Sequence, residues 1–142
     1  MLTLDTSGLY SLLNRSDPDH DRARTALLNA GGPHLVPSSI LAEISYLVEQ
    51  RMPQALDPFL ADLQSGAYSL DCGEEDVPRI RELVTRYSDL PLGFADAAVI
   101  ACAERSGGLV LTLDVRDFGV VAREGTIQLV PQLLDPAVFG DV

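Results

Sequence analysis

Short apolar runs alternate with amphipathic stretches along the chain. Leu2, Thr3 and Leu4 form a β-type run that leads into Asp5-Thr6-Ser7-Gly8, and residues 9–14 read as a helix with Asp5, Thr6 or Ser7 as its N-cap. A second helix starts at Asp17-Pro18-Asp19-His20, continues over residues 22–30 and stops at Gly31-Gly32-Pro33. Residues 34–36 predict a strand, and Pro37-Ser38-Ser39 opens a helix whose Ile40, Leu41, Ile44, Leu47 and Val48 share one face. Further on, the pattern predicts a helix over 53–64 broken at Gly66, a strand over 67–71 and a helix over 74–87 with acids at its start. Residues 95–106 are apolar on nearly every side, which predicts a buried helix ended by Gly107-Gly108. The continuous apolar run 109–113 and the segment 127–130 complete the strands. Strands alternating with helices predict a three-layer α/β/α sandwich with a mainly parallel central sheet, in a single domain over residues 1–142.

Composition narrows the function. The chain has 142 residues with 46% in the apolar set, enough for one core without disulfide or metal staples. No apolar run reaches the roughly 18 residues of a membrane span, and Met1-Leu2-Thr3-Leu4-Asp5 lacks the basic start of a signal peptide, so no membrane partner and a cytoplasmic location are expected. Cys72 and Cys102 have no paired spacing, which suggests neither disulfide nor zinc and predicts two buried small hydrophobes. The net charge is −11, and all ten basic residues are arginine. The absence of lysine excludes Schiff-base chemistry and a P-loop. The acidity opposes broad attraction to nucleic acid, except at a site where bound cations reverse the local sign.

Parallel sheets gather their sites beyond the carboxyl ends of the strands, and this sequence places carboxylates there. Asp5 follows the first strand, Asp114 follows the run 109–113, and Asp117 lies three residues on. Glu43 lies about 60° from Ile40 and about 40° from Leu47, at the edge of the apolar stripe. Read as mid-helical, it has no cap or dipole to explain it. Asp96 falls in the first turn of the buried helix, beside Val99, Ile100 and Ala103. Taken singly, Asp5 and Asp114 could be N-caps, with Asp117 one turn into a short helix, and Asp96 could be a dipole acid. Gathered in one cleft, two such charges 4 Å apart repel by about 4 kcal/mol at an effective dielectric of 20. Some must then be protonated, or a divalent cation must be bound, and oxygen-only ligands point to Mg²⁺ or Mn²⁺. Such a site suits phosphodiester hydrolysis.

Leu4-Asp5-Thr6-Ser7, Val36-Pro37 through Leu41-Ala42-Glu43, Ala95-Asp96-Ala97, and Leu111-Thr112-Leu113-Asp114 with Phe118 nearby occur in an order and spacing that resembles the PIN-domain nucleases. The chain length resembles the VapC-type toxins of bacterial toxin-antitoxin pairs. The resemblance, from Leu2 to about Val130, implies a PIN-like fold and a metal-dependent endoribonuclease that cuts structured RNA such as tRNA or rRNA with metal-activated water. By motif match Asp5, Glu43, Asp96 and Asp114 are its catalytic and metal-binding acids, and Asp117 is a metal ligand, an outer acid or a cap. Thr112 matches a hydroxyl position that orients a water or phosphate, or packs within its strand. The resemblance also implies a cognate antitoxin and a homodimer. Arg116, between Asp114 and Asp117, is the best-placed arginine for RNA phosphate, ahead of Arg15, Arg22 and Arg24; pairing with acids of the same chain is the competing use.

Other phosphotransfer folds also place an aspartate after strand one. A haloacid-dehalogenase site needs a second aspartate two residues later, where Ser7 stands, and a receiver domain needs a lysine. No G-x-G-x-x-G follows a strand, which removes a dinucleotide site. The remaining alternative is a catalytically silent PIN-like module that binds RNA or protein. Loss of acids would mark it, and every acidic position is retained here.

Overall fold

In the computed structural model, residues 1–90 and 92–131 are described. Five parallel strands, β1 (Leu2–Leu4), β2 (His34–Pro37), β3 (Ser69–Asp71), β4 (Leu109–Leu111) and β5 (Gln128–Val130), form one sheet in the order β3-β2-β1-β4-β5. Thr3 pairs with Leu35 on one side and with Val110 on the other, so β1 is the central strand. All three of its residues are buried, as a parallel strand covered on both faces requires.

Seven helices fill the connections: α1 (Thr6–Leu13), α2 (His20–Ala30), α3 (Leu41–Arg51), α4 (Leu56–Ser65), α5 (Val77–Arg86), α6 (Phe94–Arg105) and α7 (Val115–Ala122). With the right-handed crossovers that parallel strands favour, this strand order assigns α1 to α4 to one face and α5 to α7 to the other, and α1 packs on α2 and α3 while α5 packs on α6. Helix α6 packs on β1, β2 and β4. Its residues Ala97 to Ala103 are all buried, and the small side chains among them let the helix lie close to the sheet. Leu2, Leu4, Ile44, Val48, Ile100, Leu111 and Phe118 belong to the common core.

The predicted three-layer parallel fold is therefore present, with local differences. The strand expected over 109–113 ends at Leu111, because Thr112 turns its hydroxyl toward Asp5. Ser38–Ile40 and Pro53–Ala55 form single 3₁₀ turns before α3 and α4. Helix α7 stands in the sequence only as an alternative reading of Asp114 and Asp117; it is a helix of eight residues. Cys102 is buried as expected, but Cys72 is exposed, because it follows the sheet-edge strand β3.

Arginines pin the outer helices. Arg105 donates to both oxygens of Asp76 at 2.8 Å and to Asp71 at 2.9 Å, tying α6 to the end of β3. Arg79 makes a two-pronged contact with Glu104 at 2.8 Å, and Arg86 joins Glu82 and Glu124. These pairs bind the second helical layer together and leave other arginines for other uses.

Candidate functional site

Strand order reverses between β1 and β4, and a ligand crevice forms where neighbouring chain connections leave a parallel sheet in opposite directions. Asp5 and Asp114 stand beyond the carboxyl ends of these two strands. An open cleft of about 550 Å³ lies there, lined by Asp5, Ser7, Tyr10, Asp17, Glu43 and Arg51, with Asp96, Leu113 and Asp114 also on its wall.

A small polar lattice fixes the mouth of the sheet. The Asp5 backbone N–H donates to the Leu111 carbonyl at 3.0 Å, so Asp5 leaves β1 still bonded to β4. Its carboxylate oxygen Oδ2 accepts from Thr112 Oγ1 at 2.8 Å and from Ser7 Oγ at 3.0 Å. The same Thr112 oxygen accepts from the Asp114 N–H at 3.0 Å, and Ser7 Oγ accepts from the Leu113 N–H at 2.9 Å. Two hydroxyls thus hold one carboxylate and two backbone amides across β1, α1 and the β4–α7 turn. Asp5 is 5% exposed and Thr112 fully buried, so the bond between them is shielded from water, while Ser7 and Asp114 reach the cleft wall.

The cap alternatives resolve differently for the two aspartates. Asp5 occupies the N-cap position of α1, yet its side chain makes no cap bond, because Thr112 and Ser7 hold it. Asp114 does cap α7, accepting from the Asp117 N–H at 3.3 Å. That cap brings Asp117 back toward α6. Asp96, Asp114 and Asp117 offer carboxylate oxygens that all lie within 4.8 Å of one another. Asp5 and Glu43 line the same cleft outside that group. Glu43 corrects an expectation: α3 begins at Leu41, so Glu43 lies in the first turn, exposed, where the helix dipole favours an acid. Thr112 lies just past β4 rather than within it.

Electrostatics register the crowding. Burial, followed by the charges of Asp5, Asp114, Asp117 and Glu43, pushes the Asp96 carboxyl up to about 6. Burial also raises Asp5, against the lowering effect of bonds from Thr112, the Thr6 backbone and Ser7, with Asp114 raising it further. Four of the five acids named from the sequence therefore line one cleft, and Asp117 joins them through its approach to Asp96 and Asp114. Arg116 is exposed on the first turn of α7, and among the described residues it makes no ion pair. Arg22 instead pairs with Asp19 at 2.9 Å, which is the competing use expected of these arginines.

Three contributors escape the sequence reading. Ser7 reads there as a cap and as part of the Leu4-Asp5-Thr6-Ser7 motif, without a role in the site; its position two residues after Asp5 is the available signal. Tyr10 follows at the spacing of one helical turn. Arg51 follows Glu43 and Leu47 at intervals of four on α3.

The lattice makes a prediction. Thr112→Val keeps the shape but leaves Asp5 short of a donor and the Asp114 N–H unpaired; it should lower unfolding free energy by roughly 1–3 kcal/mol. Thr112→Ser should recover most of it, as read by urea titration. Equal stability of the valine and serine variants would contradict the lattice.

Comparisons with known proteins agree with this fold. The family model of the PIN domain matches residues 2–124. Ribonuclease VapC26 of Mycobacterium tuberculosis is 32% identical over 125 residues, covering 84% of this chain and 91% of that protein. The crystal structure of VapC20 of the same organism, described as a sarcin-ricin-loop-cleaving toxin, superposes with a TM-score of 0.70 at 21% identity, covering 84% of this chain and 95% of that one. VapBC2 from Rickettsia felis, bound to a DNA fragment from their promoter, gives a TM-score of 0.66 at 18% identity, with 90% and 96% covered. These two structures bear on the fold.

Proposed function

Because this chain belongs to the PIN-domain family, we propose that it is a metal-dependent endoribonuclease, the toxin of a toxin-antitoxin pair, that hydrolyses phosphodiester bonds of structured RNA such as tRNA or rRNA. The observation that carries the reading is the convergence of Asp96, Asp114 and Asp117 within 4.8 Å, beside Asp5 and Glu43, in an open cleft at the sheet's switch point. An oxygen-only donor set of this kind fits a hard divalent cation, Mg²⁺ or Mn²⁺. Asp96, Asp114 and Asp117 would hold it, with Asp5 and Glu43 completing the acidic wall. When bound, the cation supplies an activated water and offsets charge on the leaving oxygen.

The chain's own residues do the rest. Thr112 and Ser7 keep Asp5 turned into the cleft and keep its carboxylate from drifting with the loop. The Asp114 cap sets the start of α7 and so the position of Asp117. Arg116, next to these acids, is placed to meet an RNA phosphate; Arg116→Ala should flatten the salt dependence of RNA binding by about 0.7 in log–log slope and leave Mn²⁺ affinity nearly unchanged. An unchanged slope would remove that role.

A cognate antitoxin, a homodimeric assembly and a place in the cytoplasm belong to the same reading, and shared family membership supports them. Among the described residues no helix is long and apolar enough to cross a membrane.

Protons and cation compete for the same carboxylates. With the Asp96 carboxyl raised to about 6, Mn²⁺ should raise the melting temperature strongly at pH 8 and weakly near pH 5. Differential scanning fluorimetry reads this directly, and an equal shift at both values would contradict binding at Asp96. The function itself is tested by incubating purified protein with total bacterial RNA in Mg²⁺, Mn²⁺ or EDTA. Discrete fragments are expected in the metal lanes alone; intact RNA in every lane would overturn the proposal.

A further inference from the structure

We infer that Arg51, held over the ring of Tyr10, is a substrate-positioning residue that grips an RNA phosphate flanking the cleavage site; the inference rests on the ribonuclease reading of the cleft. Among the described residues, Arg51 is the one arginine on the wall of the acidic cleft, where Asp5, Asp17, Glu43, Asp96 and Asp114 also stand. Electrostatics alone would draw it onto one of these carboxylates. It makes no ion pair among the described residues. Its guanidinium carbon instead lies 5.6 Å from the centre of the Tyr10 ring. Asn14 Nδ2 donates to the Tyr10 hydroxyl at 3.4 Å, tying that side chain to the end of its own helix.

A guanidinium held over an aromatic face by a cation–π contact keeps its N–H groups available, and that planar fork suits the two-pronged capture of a phosphate. By contrast, Arg79, Arg86 and Arg105 spend their donors on carboxylates. Placement decides which phosphate Arg51 meets. It lies eight residues after Glu43 on α3, about 12 Å along the helix axis at 1.5 Å per residue. About two helical turns thus separate Arg51 from the acid of its own helix, a spacing suited to a phosphate flanking the scissile one. Arg51 therefore meets a neighbouring phosphate and sets the register of the strand across Asp5 and Asp96.

Such a contact is made alike in the ground state and the transition state, so its loss raises KM and leaves kcat nearly unchanged. The test measures binding of fluorescein-labelled tRNA, in Mg²⁺, to the Asp96→Asn protein, which holds the RNA without cutting it. Fluorescence anisotropy is followed across a NaCl series, alone and with Arg51→Ala, Arg51→Lys or Arg81→Ala added. Arg81, exposed on α5, controls for the change in overall charge. Arg51→Ala should weaken binding about three- to tenfold and reduce the log–log salt slope by about 0.7, with the Arg81 variant close to the parent. Arg51→Lys should keep the slope and lose part of the affinity. Melting temperatures should be equal across the set, which separates positioning from folding. Binding with the parent's slope and affinity in Arg51→Ala would overturn the Arg51 role alone; no binding by any of the proteins, the parent included, would overturn the ribonuclease reading and this inference with it.

Discussion

Asp96→Asn should reduce RNA cleavage by at least ~10³-fold while making the metal-free protein more stable, two effects of opposite sign from one carboxylate. The loss of activity follows from position. Asp96 is the α6 member of the Asp96, Asp114 and Asp117 group, and removing its charge takes away several kcal/mol of cation-mediated stabilisation, where ~4 kcal/mol corresponds to ~10³-fold. The gain in stability follows from what that carboxylate endures without a cation. Burial and four neighbouring acids raise it from 3.8 to about 6. Between those values the folded chain retains a proton that the unfolded chain has released, so stability falls as pH rises through that window and the whole penalty persists above it. Below 3.8 both states are protonated and the penalty is absent. The melting-temperature advantage of Asp96→Asn over wild type should accordingly be near zero at pH 4 and grow to roughly 2–5 °C by pH 7 in EDTA. Saturating Mn²⁺ should reverse the order. A variant that loses activity and stability together would mean that Asp96 serves the fold.

The second large effect is expected at Gly8. A Cβ there would sit 2.5 Å from the Leu111 carbonyl oxygen and 2.8 Å from its Cγ, contacts that the strand backbone cannot relieve. This glycine lets α1 lie directly against the end of β4, which is what brings Ser7 within 2.9 Å of the Leu113 N–H. Gly8→Ala should lower unfolding free energy by roughly 3 kcal/mol and the melting temperature by about 10 °C. Cleavage at a temperature where the variant remains folded should fall as well, because the lattice around Asp5 is displaced. Gly119 is the control: it lies within α7, where an added methyl would meet nothing within 4 Å, and Gly119→Ala should be neutral or stabilise by ~0.5–1 kcal/mol. Similar urea midpoints for the two alanine variants would contradict the close approach.

Much of this is legible in the sequence because its causes are local. The buried helix α6 announces itself through an unbroken run of small apolar residues, and Asp96 stands out against that run. Strands β1, β2 and β4 are readable as apolar segments bounded by Asp5, Pro37 and Asp114. What escapes depends on contacts far apart in sequence. Thr112 leaves β4 because of a hydroxyl bond to Asp5, 107 residues away, so no local pattern could end that strand at Leu111. Helix α7 carries β-branched Val115, Val120 and Val121 around Gly119, a composition that hides a helix set by the Asp114 cap. Glu43 reads as mid-helical because Ser38–Ile40 is helix-like in spacing but 3₁₀ in fact. Arg51 shares a helix face with Glu43, but that spacing does not reveal its contact with Tyr10, on another helix.

The central claim is that these acids form one metal-dependent cleavage centre. Its most direct test is single-turnover cleavage of one RNA, chosen from the fragments mapped in total RNA, by wild type and Asp96→Asn purified side by side. Each is assayed in EDTA and after Mn²⁺ is added back. The expected result is no cleavage in EDTA, full recovery of wild type on adding Mn²⁺, and no recovery of Asp96→Asn. Cleavage that persists in EDTA, or that Asp96→Asn performs at the wild-type rate, would contradict it.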